Sequence, residues 1–269
     1  MIIFGIFGPL LYTHDPHVID LSRSLQPPAW IEGGDWSYIL GTDQLGRDLF
    51  SRIVEGARSS LVVALFALLF SGLIGISIGL ISGFLGGRID NLLMRITDAW
   101  MAIPPIFFLL MLVVLMRQIG FQGIPVIIIG ITLTMWVPYA QFVRGETLSL
   151  REQNFVVLAK VTGCSTFRII IKHIFPNVFS TIVIITSVML GGAIMAEAGA
   201  TFLGVGIQPP NTAWGMLIAE SITYMASAWW IPTFAGLAIT LTILGFNLLG
   251  DWLRDVFDPK TIQALKFKP

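Results

Sequence analysis

Residues 59–87 read SSLVVALFALLFSGLIGISIGLISGFLGG and contain no charged side chain, although Arg58 and Arg88 stand at either end. A helix that crosses the hydrocarbon core of a bilayer needs about 20 consecutive residues, most of them apolar. This stretch meets that requirement in length and in composition. It therefore predicts a transmembrane helix.

The composition of the whole chain indicates the same environment. Of its 269 residues, 55% are hydrophobic and only 12% are charged, and the mean hydropathy is +0.82. Soluble domains carry about one quarter charged residues, so this chain has too little polar surface to cover a water-soluble globule. We predict an all-α integral membrane protein in contact with lipid, because helices satisfy their own backbone groups there. The formal net charge of zero gives no overall field that would attract nucleic acid.

Four other stretches with few or no charges are also long enough to cross a bilayer. Together with the first stretch they predict a five-helix transmembrane core within residues 59–250. The four stretches are 99–116, 118–143, 174–196 and about 231–250. The turn cluster QPPNT at residues 208–212 predicts an outer connection between the last two, because it cannot continue a helix in lipid.

The two ends of the chain extend beyond this core. Residues 1–11 are apolar but cover only about half of a span, and no basic stretch or small-residue cleavage site marks them as a secretory signal. We therefore expect a partial first transmembrane helix whose beginning is truncated. Residues 12–58 are expected to form an extracytoplasmic segment with an interfacial helix, and residues 251–269 a cytoplasmic tail.

The distribution of basic residues predicts the orientation, because Lys and Arg concentrate near the cytoplasmic ends of spans. One orientation places eleven of the sixteen Lys and Arg residues inside and five outside. In that orientation both termini and the loop 144–179 lie in the cytoplasm. The chain is then a multi-pass protein of the plasma membrane.

The loop 144–179 is the only sizeable inner connection between the predicted spans. It carries apolar residues that a flexible tether would lack, and Gly163-Cys164-Ser165 divides it into a helix, a sharp turn and a second helix that ends at Pro176. Two interpretations stay open, a surface helix resting on lipid and a docking helix for a cytoplasmic partner. The candidate docking residues are Val157, Leu158, Ala159, Lys160, Gly163, Cys164, Ser165 and Pro176.

This loop resembles the coupling loop of ABC importer permeases, in which a Glu-Ala-Ala triplet is followed by a glycine and then by an Ile-Leu-Pro ending. The residues that match are Ala159, Gly163, Ile174 and Pro176. Val157 and Leu158 stand where the family usually has Glu and Ala. The resemblance therefore implies an ATPase-docking loop without the usual glutamate contact.

Three further stretches resemble the dipeptide/oligopeptide/nickel group of these permeases, and specifically its second permease subunit. They are LGTDQLGRD at 40–48, FLGVGIQPP at 202–210 and NLLGD at 247–251, the last followed by Asp258-Pro259. The resemblance implies a six-helix, type I ABC importer transmembrane subunit in a bacterial or archaeal inner membrane. It also implies a second permease subunit, two cytoplasmic ABC ATPase subunits and an extracytoplasmic substrate-binding protein as partners.

The function that this resemblance implies is ATP-driven import, with dipeptides or oligopeptides as the expected substrates and nickel, glutathione or an oligosaccharide as alternatives. The chain contains no G-x-x-x-x-G-K-[ST] phosphate loop. We therefore expect a non-catalytic subunit without a cofactor, whose partners hydrolyse ATP.

Two patterns that suggest other chemistry have simpler explanations. Residues 75–79 match the G-x-S-x-G pattern of serine hydrolases, but glycines at 75, 79 and 83 lie on one helix face and favour close helix packing. The single cysteine and three histidines are too few and too scattered for an ordinary zinc site. We read the histidines of the sequence His14-Asp15-Pro16-His17 as solvated loop residues and expect no metal.

Glu197 is an acidic residue within a membrane segment that is rich in Gly and Ala. Such an acid is costly in lipid and marks either a functional site or a paired structural group, and both interpretations stay open. The small residues around it suggest close contact with a neighbouring subunit. The candidate path or interface residues are Glu197, Gly192, Ala196 and Ala200. An alternative class is a self-sufficient secondary transporter or channel with Glu197 as its coupling acid.

Overall fold

A computed structural model of the chain describes residues 2–257. Those residues form ten α-helices and contain no β-strand, apart from one isolated bridge between Thr42 and Asp48. The prediction of an all-α protein is therefore confirmed. The helices are α1 (Ile2–Leu11), α2 (Leu49–Leu85), α3 (Gly87–Met101), α4 (Pro105–Gln118), α5 (Ile124–Arg151), α6 (Asn154–Val161), α7 (Thr166–Ile169), α8 (Phe175–Phe202), α9 (Trp214–Ser221) and α10 (Trp230–Phe257).

Four of these helical stretches are long and apolar enough to cross a membrane, namely α2, α5, α10 and the continuous stretch Thr166–Phe202. The pair α3 and α4 gives a fifth span if it is counted as one broken helix. The connection at residues 208–212 is non-helical, as the sequence predicts. Residues 258–269 of the predicted cytoplasmic tail, with the Asp258-Pro259 pair, lie outside the described residues.

The predicted span 99–116 is wrong as a single straight helix. The chain breaks between Met101 and Pro105, and the axes of α3 and α4 differ by 85°. Pro104 and Pro105 explain the break, because each lacks a backbone N–H and disfavours the helical conformation in the residue before it. The 14 residues of α4 extend over about 21 Å, which is shorter than the hydrocarbon core of about 30 Å.

The predicted interfacial helix before residue 59 is also wrong as a separate element. Helix α2 begins at Leu49 and continues without interruption to Leu85. Its charged residues need no separate interfacial helix, because Arg52 and Glu55 both find partners within the fold. The side chain of Asp48 caps the first turn by accepting a hydrogen bond from the backbone N–H of Ser51 at 2.9 Å.

The predicted loop 144–179 is mostly helical. Helix α5 runs on to Arg151, and Pro176 does not end the second apolar stretch. A proline ring in a regular helix collides with the carbonyl four residues earlier. Here a π-helical turn at Ile170–Ile174 comes directly before Pro176 and widens the helix. The helix therefore continues past Pro176 into α8.

The described residues group into two compact units. The described part of the first comprises residues 2–66, Leu109–Gly130 and Gly191–Leu244, and that of the second comprises Ala67–Phe108, Ile131–Leu190 and residues 245–257. The short helices α6 and α7, which lie between α5 and α8 in the sequence, belong to the second unit.

Within the second unit, α2 and α5 pack at close range through glycines of α2. A Cβ atom at Gly79 would lie 2.7 Å from the carbonyl oxygen of Ala140, and one at Gly83 would lie 2.9 Å from that of Arg144. Gly75 meets the backbone of α5 at Trp136 in the same way. The predicted packing face is therefore confirmed. Ser77 lies on the exposed side of α2 and donates its hydroxyl to the carbonyl of Leu73 at 2.6 Å.

We expect Gly79→Leu to destabilise the protein by about 1–3 kcal/mol, because the added side chain must push α5 away. The matched control is Ser77→Leu, since Ser77 lies two residues away on the exposed side of the same helix. Thermal unfolding of both purified variants in detergent measures the difference. Equal melting temperatures for the two variants would contradict the close packing.

Candidate docking segment and buried polar sites

The connection between α5 and α8 is called the docking segment here and comprises residues 152–179. Its helix α6 has two faces within the second unit. Val156 and Ala159 are buried, whereas Val157, Leu158 and Val161 have 44%, 63% and 78% of their surface exposed. Helix α6 is thus anchored on one side and presents apolar side chains on the other.

A tight turn follows α6, as the sequence predicts. Gly163 has a φ of +77°, a conformation that glycine adopts without steric cost. The N–H of Cys164 donates to the carbonyl of Ala159 at 3.0 Å, and the hydroxyl of Thr162 donates to that of Leu158 at 3.0 Å. These bonds satisfy carbonyl groups at the end of α6. The turn therefore has a defined geometry.

Six of the eight candidate docking residues are exposed. Ala159 is buried beneath the segment, Cys164 is half-buried, and the other candidates are exposed: Val157, Leu158, Lys160, Gly163, Ser165 and Pro176. Phe167, which the sequence analysis did not select, is 75% exposed. We call the four apolar side chains Val157, Leu158, Val161 and Phe167 the docking patch. The segment therefore offers an apolar surface that nothing else in the described chain covers.

Polar contacts tie the end of α5 to the rest of the second unit. The guanidinium of Arg144 donates two hydrogen bonds to the carboxylate of Asp90 in α3, at 2.6 and 2.7 Å. Arg151 donates to the carbonyl of Gly83 at 3.1 Å. The Nζ of Lys160 lies 5.0 Å from the ring centroid of Phe84. The docking segment thus contacts α2 through Lys160, and the end of α5 that leads into it is tied to α2 and α3.

Glu197 is fully buried in the first unit. One carboxylate oxygen accepts a hydrogen bond from the hydroxyl of Ser60 in α2, and the other accepts one from Thr201 at 2.7 Å. The N–H of Ile207 in turn donates to the hydroxyl of Thr201 at 3.1 Å. Glu197 therefore joins α8 to α2 and to the connection that follows α8.

The structure separates the candidate path or interface residues into two groups. Glu197 and Ala200 are fully buried within the chain, and their place on a path or subunit interface stays a prediction. Glu197 faces α2, where Ser60 donates to its carboxylate, and α8 meets Gly215 of α9 at Ala198. Gly192 is exposed and Ala196 is half-buried, so both remain candidates for a subunit contact.

A cluster of charges in the first unit was not selected from the sequence. Arg47 contacts Asp43 at 2.7 Å and Glu220 of α9 at 3.2 Å, and Arg52 contacts the same two carboxylates, Glu220 at 3.1 Å. The side chains of Arg52 and Asp43 are 2% and 0% exposed. Arg52 lies three residues into an apolar helix, and a buried charge requires a partner. That requirement is the signal that could have identified the cluster.

The two histidines of the sequence 14–17 have separate partners. His17 lies 2.9 Å from Glu55, and the other carboxylate oxygen of Glu55 accepts a hydrogen bond from Thr212 at 2.6 Å. His14 stacks on the ring of Tyr38 with a centroid distance of 4.3 Å. Among residues 2–257 no three His, Cys, Asp or Glu side chains lie close enough together to hold a metal ion.

The long apolar helices define a helical membrane protein, and comparisons with known proteins identify its family. Residues 75–263 match the family described as "Binding-protein-dependent transport system inner membrane component". This chain belongs to that family. It is therefore a non-catalytic permease subunit of an ABC transporter in the inner membrane, as the sequence resemblance implies.

Two curated relatives are similar over nearly the whole chain. The probable D,D-dipeptide transport system permease protein DdpC of Escherichia coli (strain K12) is 38% identical over 260 residues, which cover 97% of this chain and 84% of the relative. The dipeptide transport system permease protein DppC of Bacillus subtilis (strain 168) is 37% identical over 261 residues, which cover 97% and 78%.

A solved structure supports the fold. An inward-facing structure of the MetNI methionine ABC transporter has a TM-score of 0.64 and 17% identity to this chain, with 77% of this chain and 97% of that chain covered. At this identity the similarity concerns the fold alone. It agrees with the type I importer fold that the resemblance implies.

We expect Arg52→Met to lower the free energy of unfolding by about 1.5–3 kcal/mol, because it removes a charged hydrogen bond from buried Asp43, which keeps Arg47 as its partner. The matched control is Arg23→Met, which removes an exposed pair with Asp35 and should leave the melting temperature nearly unchanged. Thermal or denaturant unfolding in detergent measures both. An equal loss of stability in the two variants would contradict the prediction that the buried ion pairs of Arg52 contribute more to stability than the exposed pair of Arg23.

Proposed function

We propose that this chain forms half of the translocation path of an ATP-driven importer for dipeptides or oligopeptides. A second permease subunit supplies the other half, two cytoplasmic ABC ATPase subunits hydrolyse ATP, and an extracytoplasmic binding protein delivers the peptide. The observation that carries the proposal is the docking patch, an exposed apolar surface on the helix that connects two spans of a chain in the binding-protein-dependent family.

The geometry of the docking segment favours a protein partner over lipid. Helix α6 is joined to its neighbours by the short linkers 152–153 and 162–165, and its turn is hydrogen-bonded. A surface anchored this firmly can pass a displacement on to α5 and α8. A helix that only rests on lipid needs no such anchoring. We propose in addition that residues 144–179 and the carboxyl-terminal tail lie in the cytoplasm, as the distribution of Lys and Arg predicts.

The names of the relatives support peptides as the cargo. Those reported above are named as transport permeases for D,D-dipeptides and dipeptides, and a third, of Bacillus subtilis, is named for oligopeptides. Nickel, glutathione and oligosaccharides receive no support from these names. Choice among individual peptides falls to the binding protein in this proposal.

The alternative of a self-sufficient transporter with Glu197 as its coupling acid is not favoured. Both carboxylate oxygens of Glu197 accept hydrogen bonds from neighbouring hydroxyl groups, and the side chain has no exposed surface. A coupling acid must exchange its ion or proton with a water-filled pathway. The role that these contacts support is to join α8 to α2.

We expect Leu158→Asp to abolish co-purification of the ATPase with the tagged chain in detergent, because the charge replaces an apolar contact in the docking patch. Gly163→Asp should act in the same direction, since a φ of +77° is strained for aspartate. The matched control is Ile119→Asp, an equally exposed apolar residue at 65% between α4 and α5. An ATPase that binds Leu158→Asp as well as it binds the wild-type chain would refute the docking assignment.

We expect Glu197→Gln to retain ATP-driven peptide uptake in proteoliposomes, with a loss of no more than about tenfold, because an amide preserves part of the hydrogen bonding. Uptake should not depend on a proton gradient in either form. The matched comparison is Ser60→Ala, which removes one donor to the same carboxylate. Uptake that requires a proton gradient and disappears in Glu197→Gln would restore the coupling-acid alternative.

A further inference from the structure

A polar cleft lies in the first unit between two connections of the chain. One connection joins α4 to α5 and the other joins α8 to α9. The cleft has a volume of about 470 Å³, within the range of about 300–1,000 Å³ that is usual for small-molecule sites. We call it the Arg117 cleft; its lining residues are Arg117, Gln122, Gly123, Gln208, Pro209 and Asn211.

Among residues 2–257, Arg117 is the only charged residue that lines the cleft. It is half-buried at the end of α4, and its guanidinium donates to the carbonyl of Val205 over 3.4 Å. Within residues 2–257 no carboxylate lies within 4.0 Å of it, whereas Arg23, Arg47 and Arg52 of the same unit are all paired with acids. A guanidinium has five N–H donors, so Arg117 retains most of its capacity to bind an anion.

The other polar groups of the cleft are carboxamides. Gln122, Gln208 and Asn211 each carry both a donor and an acceptor. The Nε2 of Gln208 donates to the carbonyl groups of Gly204 and Gly206 at 3.2 and 3.4 Å, which holds this side chain in place. A peptide group also has one donor and one acceptor. The lining is therefore complementary to a peptide bond next to a negative charge.

The position of the cleft in the chain suits a site that the peptide meets on entering the transporter rather than on leaving it. Its connections precede α5 and follow α8, at the ends of those helices that are not joined to the docking segment. If the docking segment is cytoplasmic, as proposed above, these connections belong to the extracytoplasmic side. A peptide that leaves the binding protein would meet them first.

We propose that the Arg117 cleft binds the terminal carboxylate of the peptide in transit, with Arg117 pairing with the carboxylate and the carboxamides with the adjacent peptide group. This assignment rests on the proposed function. Arginine and carboxylate form two parallel hydrogen bonds in a fixed geometry. The permease would thus prefer cargo with a free carboxyl terminus, in addition to any selection by the binding protein.

The test uses the complete transporter in proteoliposomes, with ATP inside and binding protein in excess outside. The two probes are a dipeptide and the same dipeptide with an amidated carboxyl terminus, each supplied as saturated binding protein. The variants are Arg117→Gln, Arg117→Lys and the control Gln118→Ala, a neighbouring exposed residue that does not line the cleft. Maximal uptake and the half-saturating concentration of loaded binding protein are measured separately.

We expect Arg117→Gln to lower maximal uptake of the free dipeptide by about tenfold or more, since a charged hydrogen-bond pair is lost. Arg117→Lys should recover part of that loss, and uptake of the amidated dipeptide should be the same in Arg117→Gln and in the wild type. An equal loss for both probes would overturn the assignment in favour of a structural role. A change only in the half-saturating concentration of binding protein would overturn it in favour of a contact with that protein, and unchanged uptake would overturn it outright.

One outcome separates this inference from the proposed function. If the wild-type transporter takes up neither probe in the presence of ATP, the peptide-importer proposal fails and the cleft assignment fails with it. If the wild type takes up the free dipeptide and Arg117→Gln does so equally well, only the cleft assignment fails.

Discussion

A charged group that is removed from water must find a partner, and this requirement decides which helices of the chain are neighbours. The Arg52 cluster joins the beginning of α2 to α9, the hydrogen bonds of Glu197 join α2 to α8, and the pair of Arg144 with Asp90 joins α5 to α3. Apolar surfaces alone would let these helices rotate and slide, because lipid is as apolar as a leucine side chain. The polar contacts fix the orientation of each of these helices about its own axis.

The spans could be predicted because the rule that governs them is local. A stretch with too few charges and enough length must be helical in lipid, and this rule found α2, α5, α8 and α10. The effect of the prolines on the helices cannot be predicted from such a local rule. Pro104 and Pro105 break a helix, Pro138 lies inside α5, and Pro176 follows a π-helical turn without ending the helix. The same residue type therefore has three outcomes, which depend on what packs around it.

The candidate sites could be predicted only in part, for a related reason. The turn at Gly163 was predictable, because a positive φ within an otherwise helical stretch requires glycine. The buried faces of α6 and α8 could not be predicted, because each helix carries apolar or small residues on most of its sides. Arg52 and Glu220 lie 168 residues apart in the sequence, and no pattern within one segment connects them. The requirement to neutralise a buried charge predicts that Arg52 is paired with an acid. It does not predict which acid.

The contacts around the docking segment suggest how a displacement would be transmitted. Close-packed helices shift as bodies, since their interiors have little free volume. In the second unit α5 is held against α2 by glycine contacts and tied to α3 by the Arg144–Asp90 pair. An ion pair that is partly removed from water contributes little net stability, because desolvation offsets the attraction. Its two parallel hydrogen bonds nevertheless fix the orientation of one helix relative to the other. The Arg144–Asp90 pair thus links the two helices, so that a movement of α5 at the docking segment would turn α3 as well.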